Sequence, residues 1–159
     1  MAIQYNEKVM RHFMNPKNVG EIKDADGIGK VGNMTCGDIM YVYIKVGKDK
    51  KGEYVLKDVK FKTLGCAAAI ATSDIVIELA KGKTIKEALK ITNKDVVKEL
   101  GGLPSIKVHC SLLAEEALGE AIYNYMKKNK KEVPKELEER HKRALKSEID
   151  FHNKFKGKC

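Results

Sequence analysis

A chain of 159 residues with 43% hydrophobic and 33% charged side chains has the size of one domain and enough apolar matter for a core. Three Pro and 13 Gly exclude a collagen-like or low-complexity polymer, and the absence of Trp with only 6% aromatics argues against an aromatic stacking platform for nucleic acid. Of the net charge of +9, residues 127–159 supply +6 from 12 basic and 6 acidic side chains, so the body is nearly neutral and the tail is basic.

In chain order, residues 4–14 place Tyr5, Val9, Met10 and Phe13 at helical spacing. Asn15-Pro16 stops that helix, because the residue before proline is pushed out of the helical region. Residues 18–33 are polar and Gly-rich and read as a loop with one short strand near 29–32. Residues 39–47 and 54–63 are rich in β-branched and aromatic types and predict two strands, paired antiparallel across the charged turn 48–53.

After Gly65 the pattern becomes helical. Residues 67–80 carry Ile70, Ile75, Val76 and Leu79 on one side, with Gly82 at the C-cap position. Thr84-Ile85-Lys86-Glu87 is a capping box that opens a short helix. Thr92-Asn93-Lys94-Asp95 starts another, closed by Gly101-Gly102, and Pro104 imposes an extended or turning segment through Lys107. Residues 111–128 repeat Ala114, Ala117, Leu118, Ala121, Ile122 and Tyr125 at three- and four-residue steps. Pro134 suits the first turn of a final charged helix over 134–155, with Leu137, Leu145, Ile149 and Phe155 on one side. Strands first and helices afterwards predict an α+β fold: a small antiparallel sheet packed by helices in residues 1–128, then a basic, charged helical extension in 129–159.

No apolar run reaches the roughly 18–20 residues of a membrane span, and the first eight residues lack an apolar leader. The expectation is a soluble cytoplasmic protein whose four cysteines are reduced thiols. Three of them stand at junctions. Cys36 precedes the first strong strand with Asp38 two residues on, Cys66 directly precedes the Ala-rich helix, and Cys110 follows His109 and directly precedes the long helix. A thiol at a helix N-terminus meets unpaired N–H groups and the positive end of the dipole, which favour the thiolate that binds metal and attacks sulfur electrophiles. One cysteine or histidine alone is more often inert packing than a ligand. The constellation of Cys36, Asp38, Cys66, His109 and Cys110 is what points to a soft-metal site, since three thiolates and one oxygen or nitrogen group complete a tetrahedron. The spacing is not the compact Cys-x-x-Cys of a zinc finger, so three distant loops must meet.

The chain resembles the IscU/NifU-type iron–sulfur cluster assembly scaffolds, over about residues 3–126. The matching segments are Asn15-Pro16-Lys17-Asn18-Val19-Gly20, Cys36-Gly37-Asp38, Thr63-Leu64-Gly65-Cys66-Ala67-Ala68-Ala69-Ile70-Ala71 and Gly101-Gly102-Leu103-Pro104-Ser105-Ile106-Lys107-Val108-His109-Cys110-Ser111. The resemblance implies a three-stranded antiparallel sheet packed by helices. It implies a scaffold, not an enzyme, that builds a labile [2Fe–2S] cluster from ferrous iron and persulfide sulfur and passes it to apo-proteins. By position, Cys36, Cys66 and Cys110 match the cluster thiolates, with Cys110 also the persulfide acceptor. Asp38 matches the fourth, exchange-controlling group, and His109 the alternative ligand. The implied partners are a cysteine desulfurase, iron and electron donors, apo-protein recipients and an Hsp70-type chaperone system, with the chain a monomer or weak dimer.

The departures are also informative. Leu103-Pro104-Ser105-Ile106-Lys107 matches the family's chaperone-recognition loop Leu-Pro-Pro-Val-Lys, with Ser105 at the second Pro and a less preorganised segment as a result. The ferredoxin-like and Cys-x-x-Cys segments of NifU do not follow, the insertion of SufU relatives is missing, and the basic tail ending in Cys159 has no family counterpart. Three competing readings remain. One is a zinc-binding sulfur acceptor that partners a cysteine desulfurase, with zinc in the isolated protein. A cysteine-nucleophile enzyme is disfavoured because adjacent His109 and Cys110 are poorly placed as base and nucleophile. The third is nucleic-acid binding through the tail, which otherwise reads as a solvated surface helix. His12, His141 and His152 carry no role in any of these readings.

Overall fold

The computed structural model describes residues 4–33 and 37–155. In chain order these form α1 (Glu7–Met14), β1 (Gly27–Asn33), β2 (Asp38–Lys48), β3 (Tyr54–Leu64), α2 (Ala67–Ala80), α3 (Ile85–Ala88), α4 (Asn93–Glu99), a 3-10 turn (Ser105–Lys107), α5 (His109–Lys128) and α6 (Lys135–Phe155). The sheet has the order β1-β2-β3, antiparallel throughout, with Ile39 opposite Leu64 and Asn33 opposite Asp38. Its period of two is legible in β2, where Met40, Val42 and Ile44 are buried and Ile39, Tyr41, Tyr43 and Lys45 face the other side. The α+β expectation, with a three-stranded antiparallel sheet, is met.

Strand β1 is longer than the four residues expected, and the reason is packing. A Cβ on Gly27 would stand 2.2 Å from the Ala121 carbonyl oxygen, and one on Gly29 2.1 Å from that of Ala117. These glycines do not mark a turn; they let α5 lie directly on the strand backbone. Helix α2 is enclosed on nearly every side, by the sheet, α1 and α5. The expected capping box of Thr84 with Glu87 is present, and Thr92, expected to start a helix, makes a second one with Asp95.

Helix α5 begins at His109, two residues before the expected start. Val108 already has helical dihedrals at the end of the 3-10 turn, so the turn feeds straight into the helix and Cys110 falls inside its first turn. Residues 104–107 are accordingly an extended proline followed by a turn.

Helix α6 docks antiparallel on α5. Leu137 is 2% exposed, Arg140 reaches Glu115 at 3.3 Å, and His141 Nδ1 lies 2.9 Å from Glu120 Oε2 while its ring stacks on Tyr123 at 3.8 Å. The covered stripe therefore runs through Leu137, Arg140, His141 and Ala144. Leu145, expected on that side, is 43% exposed, and the side chains of Ile149 and Phe155 lie outside the described residues. The tail is thus not a merely solvated helix, for two of its basic groups are matched to an acidic row on α5.

Helix α1 is tied down at both ends. Asn6 caps it by accepting from the Val9 N–H at 2.9 Å and donates to the Leu100 carbonyl at 2.9 Å. Fully buried Asp74 of α2 accepts the backbone N–H groups of Lys17 and Asn18 at 3.0 Å each, the Asn18 side-chain amide at 2.9 Å, and pairs with His12 Nδ1 at 2.7 Å. The segment after Pro16 is held to α2 through Asp74, by its carboxylate and by its carbonyl, which accepts from the Asn18 amide at 3.4 Å.

Candidate functional site

Three chain segments converge at one end of the sheet. Asp38 opens β2, Cys66 is the N-cap of α2, and Cys110 sits in the first turn of α5. One ligand atom from each of Asp38, Cys66 and Cys110 lies within 4.8 Å of the others. The two sulfurs are 3.6 Å apart, too far for a disulfide and close enough to share a metal, and Cys66 Sγ is 3.9 Å from Asp38 Oδ2. His109 Nε2 stands 3.6 Å from Cys110 Sγ, so the two neighbours do bring ring nitrogen and sulfur together. Cys36, the third expected thiol, lies outside the described residues, as does Cys159.

Local structure explains the convergence. Gly65 joins β3 to α2 in a cramped corner, where an added Cβ would meet Ala69 Cβ at 2.9 Å and Asp38 Cγ at 3.2 Å. Its missing side chain lets the Asp38 carboxyl come up against Cys66. Gly37 serves a different need: its φ is +70° and, among the described residues, nothing stands within 4 Å of its Cβ position, so it makes the turn into β2. Cys66 makes no side-chain capping bond, which leaves its sulfur for other partners.

Burial divides the two thiols. Cys110 is 0% exposed, packed with Ala68 and Ala69 under Tyr5, Leu103 and Cys66, whereas Cys66 is half-buried. Thiol exchange needs an accessible sulfur, and that of Cys110 is instead packed beneath Tyr5 and Leu103. Asp38 is 5% exposed. Two thiols and a carboxylate so placed form a mixed soft and hard donor set of the kind that holds zinc or an iron–sulfide core.

Lys107 is the cation of this corner. Negative charge at Cys66, and after it at Tyr5, Cys110 and Asp38, raises its ammonium above the ordinary lysine range. Burial, followed by the charge at Cys66, likewise pushes the Tyr5 phenol up. In the stretch 103–107, then, Leu103 packs inward, Lys107 works electrostatically on the site, and Ile106, 62% exposed, is the apolar side chain presented outward. Among the described residues no helix is long and apolar enough to cross a membrane.

The model of the NifU-like N-terminal domain matches residues 4–132. The chain belongs to that family. The iron–sulfur cluster assembly scaffold protein IscU 1 of Archaeoglobus fulgidus is 54% identical over 154 residues, covering 95% of this chain and 97% of the relative. Its counterpart IscU in Aquifex aeolicus is 44% identical, covering 95% and 98%. Among solved structures, a candidate iron–sulfur cluster assembly scaffold protein for the SUF system from Fervidobacterium islandicum aligns with a TM-score of 0.59 at 29% identity, over 74% of this chain and 96% of that one. The family model ends three residues before α6 begins, whereas the matches to the two IscU relatives take in most of it, so the basic extension expected to lack a family counterpart has one in these relatives.

The sequence pattern marks Tyr5 only as one apolar position of an amphipathic helix and does not disclose its place over the site or the electrostatic part of Lys107. The signal for both is spatial. His12 and Asp74 are 62 positions apart and meet only through the fold. Glu78 also approaches them, yet Asp74 already accepts from several donors and its place is structural.

Proposed function

We propose that this chain is a scaffold for iron–sulfur cluster assembly, a carrier and not a catalyst, and that Asp38, Cys66 and Cys110 hold the growing cluster. The convergence of those three side chains carries the reading, supported by family membership and by the scaffold names of the relatives. Cys36, two residues before Asp38, supplies the third thiolate, and His109 is the alternative ligand at the Cys110 corner. The cargo is a [2Fe–2S] cluster. Thiolates grip its irons firmly, while the carboxylate of Asp38 is a harder and weaker partner, so that corner opens for transfer.

Sulfur enters by thiol exchange. The Cys110 thiolate attacks the outer sulfur of a persulfide on a cysteine desulfurase. The new S–S bond forms on Cys110, the old one breaks, and the desulfurase cysteine leaves as thiolate with no net change of oxidation state. Because Cys110 is covered by Tyr5 and Leu103, this step requires the 103–108 segment to swing outward, with Lys107 close by to balance the arriving negative charge. The cytoplasm, where thiols stay reduced, suits this chemistry. Exposed Ile106 is the point where an Hsp70-type chaperone engages the same segment, and electron donors and apo-protein recipients complete the cycle.

The test is anaerobic reconstitution with ferrous iron, cysteine and a cysteine desulfurase, followed by timed transfer to an apo-ferredoxin. Iron and sulfide bound in equal amounts, with a visible charge-transfer spectrum that moves to the acceptor, is the expected result. A chain that keeps zinc and neither builds nor delivers a cluster would overturn the reading in favour of a zinc-holding sulfur acceptor. Cys110→Ser is expected to abolish sulfur loading, read as loss of the persulfide mass increment; undiminished loading removes Cys110 from that step.

A further inference from the structure

Strand β2 and helix α5 both start at the metal corner and run away from it. Their far ends, Lys48 and Lys128, lie about 33 Å from Asp38 and about 27 Å from Cys110, at about 3.3 and 1.5 Å per residue. The chain around those two ends meets at one pole. There the Lys131 ammonium stands 3.5 Å from the centre of the Tyr54 ring, and the Lys48 ammonium 5.1 Å from it.

Two short runs form the pole. The β2–β3 turn reads Lys48-Asp49-Lys50-Lys51-Gly52-Glu53, and the end of α5 reads Lys127-Lys128-Asn129-Lys130-Lys131-Glu132. Together they set seven lysines against three carboxylates. The Asp49 carboxylate is committed to the backbone, accepting the N–H groups of Lys51 at 2.8 Å and Glu53 at 2.9 Å. Among the described residues only one of the seven lysines forms an ion pair, Lys127 with Glu138 at 3.6 Å. Lys50, Lys51, Lys128 and Lys130 are exposed and, among the described residues, make neither an ion pair nor a ring contact.

Lys130 adds a second observation. Helix α5 ends in a Schellman turn, with the Lys131 N–H donating to the Met126 carbonyl at 2.8 Å and the Lys130 N–H to that of Lys127 at 3.2 Å. The turn holds Lys130 at φ +52°, where glycine is the usual occupant, and no other non-glycine among the described residues has a positive φ. The chain thus keeps a charge at a position where glycine would turn more easily.

Like charge gathered in this way raises the local potential and attracts a polyanion. The make-up of the patch selects which one. Protein partners are gripped through aromatic and arginine anchors in dry pockets. The two runs hold neither type, and Tyr54 beside them already carries two ammonium groups on its ring. A bilayer surface is met with apolar side chains that insert, and these runs expose none. A phosphate backbone needs only several point charges on flexible stems, whose binding releases counterions.

We propose that this lysine pole, residues 48–53 and 127–132, binds the phosphate backbone of double-stranded nucleic acid without reading its sequence. Helix α6 supplies none of these cations, so the site is distinct from the basic tail. The metal corner stays free while the pole is occupied, and the proposal does not rest on the scaffold reading.

The test uses the full native chain, reduced, with a fluorescein-labelled DNA duplex of about 20 base pairs, followed by anisotropy between about 25 and 200 mM KCl. One variant carries Lys50→Gln, Lys51→Gln, Lys128→Gln and Lys130→Gln, which spares the lysines on Glu138 and Tyr54. Each phosphate contact contributes about 0.9 to the slope of log K against log salt, so the slope should flatten by about 3–4 and low-salt affinity should fall about tenfold or more. A control with the same charge loss elsewhere, Lys17→Gln, Lys94→Gln, Lys98→Gln and Lys146→Gln, should keep the native slope. Failure of the native chain to bind at low salt, or equal flattening in both variants, would overturn the proposal. Tighter binding to phosphatidylserine vesicles than to the duplex, lost in the first variant, would assign the pole to a lipid surface and overturn it as well. Lys130→Gly separates charge from turn: it should raise the melting temperature while the slope still falls by about 0.9. An unchanged slope would remove Lys130 from the site, and with it the argument from the strained turn.

Discussion

Gly65→Ala probes the site without touching a ligand. Gly65 has no positive φ, so alanine is allowed by the backbone and the effect is purely steric. The new methyl would stand 2.9 Å from Ala69 Cβ and 3.2 Å from both Asp38 Cγ and Thr63 Oγ1, where ordinary contact begins near 3.4 Å. Ala69 must yield by about half an ångström and Asp38 by about a fifth of one, in a corner that is nearly closed. Overpacking of this size costs about 1–2 kcal/mol, and at about 2–4 °C per kcal/mol the melting temperature of the apo-protein falls by several degrees. The larger effect is on metal affinity, because the displaced carboxyl is the one that faces Cys66 at 3.9 Å. Loss of ligand orientation costs about tenfold to a hundredfold in affinity. Cobalt(II) titration followed by its thiolate charge-transfer band reads this directly, with thermal melts in parallel. A melting temperature that drops while cobalt affinity stays within about twofold would refute the argument that Gly65 sets the Asp38–Cys66 approach.

Asp38→Ala removes the weak corner of the site, so the reconstituted cluster should live longer and pass to apo-ferredoxin more slowly; equal or faster loss would count against a carboxylate gate. Asp74→Ala strands several buried donors around the loop after Pro16 and should cost about 3–5 kcal/mol in urea unfolding, well above His12→Ala, which leaves Asp74 its other donors. Comparable costs for the two variants would show that the backbone contacts contribute little. The carboxyls of Glu87 and Asp95 are held below their ordinary values of 4.5 and 3.8, first of all by the backbone N–H groups of Thr84 and Thr92. With lowered values in the folded state, the stability they add is complete above those ordinary values and is lost as pH falls through the lower folded ones. Carboxyl NMR titration midpoints at or above 4.5 and 3.8 would remove that contribution.

The parts of the fold that were legible are those fixed by local chemistry. The capping box at Thr84, the helix start at Thr92, the β-branched and aromatic run of β2 and the three-and-four repeat of α5 each needed only neighbours in sequence. Strand β1 was under-read because Gly27 and Gly29 look like turn signals until the helix that presses on them is known. The start of α5 was placed late because Val108 and His109 continue a 3-10 turn, which has no side-chain cap to announce it. At the site, the motifs named Cys66, Asp38 and Cys110, but their distances depend on packing that joins positions 28 and 44 residues apart. The burial of Cys110 under Tyr5, the charge placed by Lys107 and the docking of His141 on Glu120 are likewise tertiary facts. A side chain read in one dimension does not disclose which face its neighbours will close.

The crossing of β1 and α5 at Gly27 and Gly29 assigns fixed and moving parts to any loading cycle. Backbone pressed on backbone leaves no room for α5 to slide or roll, so the main chain at Cys110 is an anvil. If sulfur and iron load here as proposed, the glycine pair at 101–102, with φ of +76° and +108°, is where the short run leading to α5 can hinge. On that reading the 103–108 segment is the moving jaw, and the main chain of α5 stays where Gly27 and Gly29 seat it on the sheet.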